Sequence, residues 1–144
     1  MIRTLLCVWW ILVASVARGQ EKEAMPEKQE PQQAPSPMER GRYLVHHVAM
    51  CVVCHTPKTN EGKLLTTQLL RGAAIPVASP FPRQRWAVRA PAIAGLGGFS
   101  EADLVALLQT GSRPNGASPQ PPMPPFRMTE EDARAVAAYL KSLR

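Results

Sequence analysis

The sequence predicts an all-α domain of about 105 residues, and three observations carry that expectation. Three segments open with helix-capping residues and then place apolar side chains at helical spacing. No stretch alternates in the manner of a half-buried strand, since Trp86–Ile93 is interrupted by Pro91. What lies between the helices is rich in proline and glycine, of which the chain has 15 and 9.

The first helix is expected to start at Ser36-Pro37-Met38-Glu39, which reads as a serine cap, a proline at the first helical position and a glutamate three residues after the cap. It should run through Gly41, Tyr43, Leu44, Val45 and Val48 to about Met50. Gly41 costs about 1 kcal/mol against alanine inside a helix, so it points to close backbone packing. Ser100-Glu101-Ala102-Asp103 opens a second helix, ended by Gly111. Thr129-Glu130-Glu131-Asp132 opens a third, whose Ala133, Val136, Ala137 and Leu140 form one apolar face. Its acidic start and its basic Lys141 and Arg144 both suit the helix dipole. Leu64–Leu70 is a candidate short helix closed by Gly72. The connections 72–99 and 111–127 are long for a compact domain. A few short helices bury little apolar area at this size, so something other than protein is expected at the centre.

Domain organisation follows composition. Residues 1–19 read as an export signal: Arg3, then an apolar run over Leu5–Val16, then small residues at Ser15, Ala17 and Gly19. The run is short of the roughly 20 residues a membrane span needs, so cleavage is expected. If retained, the segment would tether the domain to a membrane from the outside. Residues 20–37 have the Glu, Gln, Lys and Pro composition of a disordered linker. Residues 38–144 are the expected folded domain. From Glu39 onward there are 13 basic and 7 acidic residues, a balance of +6 and too mild to imply nucleic acid.

The chemistry is carried by Cys51-Val52-Val53-Cys54-His55. C-x-x-C-H is the attachment signature for c-type haem, and a chance match at this composition is about one in a thousand. The two thiols add to the haem vinyl groups as thioethers, and the following histidine is held beneath the iron. A zinc site would need two more ligands, for which only His46 and His47 remain as nitrogen or sulfur donors, and a thioredoxin-like pair would want a βαβ setting. One covalent haem c is therefore expected. Haem attachment outside the cytoplasm agrees with an export signal and places the protein in the periplasm.

The second axial ligand decides the function. His46, His47 and Met50 lie on the segment leading into the motif and are assigned to the same side as His55. Met123 sits in Pro121-Pro122-Met123-Pro124-Pro125, whose fixed φ angles make a stiff holder for a thioether. Met128 is the rival, and a methionine serving only as core filler is the plainer reading. With His55 and Met123 both on iron, no open site remains, and the chemistry is one-electron transfer at a raised potential. Arg85 and Trp86, in a loop that also holds Arg83 and Arg89, are candidates to bind the haem propionates; an exposed basic loop is the alternative. His55 is expected to donate its other N–H to a backbone carbonyl, sought in the loop that includes Pro57.

This arrangement resembles class I c-type cytochromes over about Glu39 to Arg144. The resemblance rests on Gly41-Arg42-Tyr43-Leu44-Val45 before the motif, Ala90-Pro91-Ala92-Ile93 in the middle, and Met123-Pro124-Pro125-Phe126 before the last helix. It is especially similar to the cytochrome subunits of periplasmic alcohol and sugar-acid dehydrogenases, which usually repeat the module that occurs once here. The resemblance implies a cytochrome c-like fold whose first and last helices cross, and redox protein partners such as a dehydrogenase or oxidase. It implies an electron carrier rather than an enzyme. Two other readings remain open: a haem enzyme or gas or redox sensor with a displaceable distal Met, and a docked electron-transfer subunit of a periplasmic dehydrogenase.

Overall fold

The computed structural model describes residues 33–143. The expected export signal and most of the expected linker lie outside the described residues. Helix α1 (Pro37–Tyr43) starts where the capping residues place it. Ser36 Oγ accepts from the Glu39 N–H, and the Glu39 carboxylate accepts from the Ser36 N–H at 2.9 Å. The helix does not continue unchanged to Met50. It widens into a π-helical turn at Leu44–Val48, and Met50 adopts a left-handed conformation at φ 54. The axis is thereby broken one residue before Cys51, and α2 (Cys51–His55) begins anew.

Helix α3 (Glu101–Thr110) is capped by Ser100, whose hydroxyl accepts from Asp103 N–H, and ends at Gly111 with φ 73. Helix α4 (Glu130–Ser142) is capped in the same way by Thr129. Its four expected face residues, Ala133, Val136, Ala137 and Leu140, are all buried. They join Leu44, Val45, Val52, Leu70 and four apolar residues of α3 in one core. Among the described residues no helix is long and apolar enough to cross a membrane.

Helices α1 and α4 pack directly on one another, and Gly41 is the reason they can. A Cβ built on Gly41 would overlap the Ala135 carbonyl oxygen and stand 2.9 Å from Tyr139 Cβ. The crossing is fastened at its ends by side chains. Arg40 donates from Nε and an Nη to the two Asp132 carboxylate oxygens at 2.8 and 3.1 Å. His46 Nε2 and Tyr139 OH lie 2.8 Å apart.

Two expectations are corrected. Leu64–Leu70 forms no α-helix: only Thr66–Gln68 makes a single 3₁₀ turn, because Leu64 bridges to Lys58 instead. A small antiparallel pair is present where no strand was expected, β1 (Ala73–Ala74) against β2 (Arg89–Ala90). Two residues per strand are too few to show a period-2 pattern, so the pair leaves no mark in the sequence.

Candidate functional site

The segment of Cys51, Cys54 and His55 enters the core through Val52, which is buried, and His55, which is 7% exposed. His55 Nδ1 lies 2.7 Å from the Pro91 carbonyl oxygen. That carbonyl can only accept, so Nδ1 carries the proton and Nε2 is left with its lone pair for a metal. The acceptor is therefore not in the loop containing Pro57 but 36 residues away on the far side of β2. Burial pushes the imidazole pKa down, which favours the neutral ring, and the Pro91 bond opposes this in part.

The Pro91 carbonyl is itself held by a backbone network that never touches the ring. The Thr56 hydroxyl accepts from the Leu70 N–H at 3.0 Å, and Thr56 is fully buried. The Leu70 carbonyl accepts from Ile93 and Ala94 at 2.9 and 3.2 Å. Gly72 donates to the His55 carbonyl at 2.7 Å. Its φ of +85 and the 2.8 Å that would separate a Cβ from the Ala92 nitrogen admit glycine alone. Thus Ile93 and Ala94, just past Pro91, are tied through Leu70 to Thr56, the residue after His55, while Ala90, just before it, pairs with Ala73.

Beside His55 opens a cavity of about 480 Å³, within the range of cofactor pockets. Cys51, Cys54 and His55 line it, as do Met50, the apolar side chains Leu104, Leu107, Leu108 and Leu140, and Met123 with its neighbours Pro122 and Pro124. Both cysteines are free thiols. Burial pushes the Cys51 thiol up to about 11, so it is neutral at physiological pH. Met128 is not part of this wall. Its side chain packs against the hydrophobic core, and its N–H donates to the Leu108 carbonyl.

The expected propionate binders are placed elsewhere. Trp86 donates its indole N–H to the Val77 carbonyl at 2.8 Å, and neither Trp86 nor Arg85 lines the cavity. Of this segment the residues on the wall are Ala87 and Arg89–Pro91, so the lining begins only after Trp86. The second cation there is Arg113, whose guanidinium sits 4.9 Å from the Phe99 ring centroid. Arg113 was not singled out from sequence. Its one signal is that it is the only charge between Asp103 and Arg127.

The Cytochrome c family model matches residues 38–144. The chain belongs to the cytochrome c family. Similar proteins include a "Diheme cytochrome c-type" protein of Cereibacter sphaeroides, 30% identical over 96% of this chain and 43% of that protein. Another is "Alcohol dehydrogenase (quinone), cytochrome c subunit" of Gluconobacter oxydans, 30% identical over 72% of this chain and 23% of that subunit. The chain thus spans less than half the length of either relative. Membership implies a covalently bound haem c and electron transfer through it, the role of a carrier rather than of an enzyme. The residues present fit that group: two thiols and a tautomer-fixed imidazole converge on an apolar cavity of cofactor size. A neutral thiol and the neutral thioether made from it are equally at home in such a wall.

Proposed function

We propose that this cytochrome carries single electrons between redox proteins in the periplasm, using one haem c joined to Cys51 and Cys54 with His55 and Met123 as axial ligands. The observation that carries the reading is that His55 and Met123 line one apolar cavity while Met128 is committed to the core. The haem supplies a one-electron ferric/ferrous couple when bound. His55 presents Nε2 and keeps its Nδ1 proton on Pro91, which fixes the ring and raises its donor strength. Met123 supplies a soft, neutral thioether that favours the reduced metal, and the proline-rich segment holds it in place. Leu104, Leu107, Leu108 and Leu140 keep water out, so little solvent has to reorganise when charge changes. Arg89 and Arg113, on the wall, are the groups suited to anionic propionates.

The name of the Gluconobacter relative favours a docked subunit of a dehydrogenase as the setting for this transfer. The site itself is tested by absorption spectroscopy of the holoprotein. Low-spin bands with a weak far-red sulfur–iron band are expected in the native protein and in Met128→Ala. That band should be lost in Met123→Ala. High-spin native bands would overturn the ligand assignment and favour a sensor or enzyme.

A further inference from the structure

The hairpin between β1 and β2, residues 75–88, is not used by the cavity except at its feet, Ile75 and Ala87. Its exposed side chains are unusual for a solvated loop. Phe81 is 65% exposed, Val77 56% and Val88 80%. The loop is nevertheless braced. Ile75 N–H donates to the Val88 carbonyl at 3.0 Å, and Trp86 staples the middle through its indole bond to Val77. At the tip, Ser79 Oγ accepts from the Phe81 N–H at 3.1 Å, and Gln84 N–H donates to the Phe81 carbonyl. Ala87 N–H donates to the Pro121 carbonyl at 2.8 Å, which ties the hairpin to the segment carrying Met123. A large aromatic held outward by hydrogen bonds is pre-organised for contact rather than left over from poor packing.

Charge is segregated around it. No Asp or Glu occurs between Glu61 and Glu101, while Lys63, Arg71, Arg83, Arg85 and Arg89 do. Elsewhere three acids are paired with bases within the fold: Arg40–Asp132, Arg134–Glu130 and Lys141–Glu101. Among the described residues Arg83 and Arg85, the arginines of the hairpin, make no ion pair. The hairpin therefore combines an exposed aromatic and unpaired arginines, types enriched at interfaces, with two exposed valines that add apolar surface.

We propose that the 75–88 hairpin is the docking surface for an acidic redox protein, seating Phe81 in an apolar spot of the partner while Arg83 and Arg85 meet its carboxylates. This rests on the electron-carrier reading above and adds to it the surface used and the partner's chemistry. Its feet on the cavity wall bring a partner held there to the edge of the cofactor site.

The test uses the holoprotein and reduced flavodoxin, a small acidic donor, with one electron passing from flavin to haem in each event. The native rate constant is expected to fall about tenfold between about 20 and 200 mM salt. Arg83→Glu should lower the rate several-fold at low salt and converge on the native value at high salt. Phe81→Ser should lower it several-fold at every salt concentration. Both variants should keep the native midpoint potential, since neither residue lines the cavity. Native rates in both variants would overturn the proposal. So would loss of binding to phosphatidylglycerol vesicles by the variants with unchanged flavodoxin rates, which would make the hairpin a membrane anchor. Failure of the carrier reading looks different, as an irreversible or multi-electron potentiometric titration of the native protein.

Discussion

The backbone of Gly41 rests on the carbonyl of Ala135, with no room between the two helices for even one added carbon. Gly41→Ala has two opposing effects. It gains about 1 kcal/mol of helix propensity in α1, and it forces α1 away from α4. Overpacking of this kind costs about 1–3 kcal/mol, and here the obstruction is backbone, which cannot rotate away. Net destabilisation in urea or thermal unfolding of the holoprotein is expected. An unchanged or raised midpoint would show that α1 and α4 can separate freely.

The two methionines of the distal segment should separate by phenotype. Met123→Ala should open the metal to added imidazole, read as a spectral titration at concentrations that leave the native protein unaltered. Met128→Ala should leave the spectrum alone and cost about 2 kcal/mol of stability through lost core packing. The reverse pattern would exchange their roles.

Cations on the cavity wall should raise the reduction potential, because positive charge disfavours the more positive oxidised metal. Arg113→Ala or Arg89→Ala should lower the midpoint by tens of millivolts, where about 59 mV is a tenfold change in a one-electron equilibrium. Arg85→Ala should leave it in place. Equal shifts in all three would mean that distance from the wall does not matter.

Two pairs across α1 and α4 make stability pH-dependent with the same sign at different pH. Burial holds the His46 pKa below the ordinary imidazole value of 6.5, with Arg42 and His47 acting in the same direction. Burial disfavours the charged ring, so the contribution of neutral His46, 2.8 Å from the Tyr139 hydroxyl, is present above that value and is lost as pH falls below it. Asp132 is lowered below 3.8, chiefly by its hydrogen bonds from Arg40, so its contribution persists to more acid pH and disappears as pH falls through the lowered value. His46→Gln should flatten the thermal midpoint between about pH 7 and 5. Asp132→Asn should lower it modestly at neutral pH, as half-exposed ion pairs do, and not at all in strong acid. A native midpoint independent of pH over this whole range would refute both.

Features fixed by local chemistry were legible in the sequence. The caps at Ser36, Ser100 and Thr129, the C-terminal Gly111, the α4 face and the meaning of Gly41 all depend on residues within one or two turns, or on the absence of a side chain. The motif at Cys51–His55 is legible for the same reason. What was missed depends on register between distant segments. Pro91 as the His55 acceptor and the placement of Arg89 rather than Arg85 on the wall are set by a two-residue strand pair. The break at Met50 is likewise invisible, because Leu44–Val48 contains no proline or glycine to mark it.

Thr56 lines no part of the cavity, yet its hydroxyl holds Leu70, Leu70 holds Ile93 and Ala94, and these fix the carbonyl that orients His55. The orientation of the His55 ring is thus adjustable from a residue that lines no part of the cavity. If His55 holds the metal as proposed, Thr56→Val would shift the reduction potential with every residue of the cavity wall unchanged.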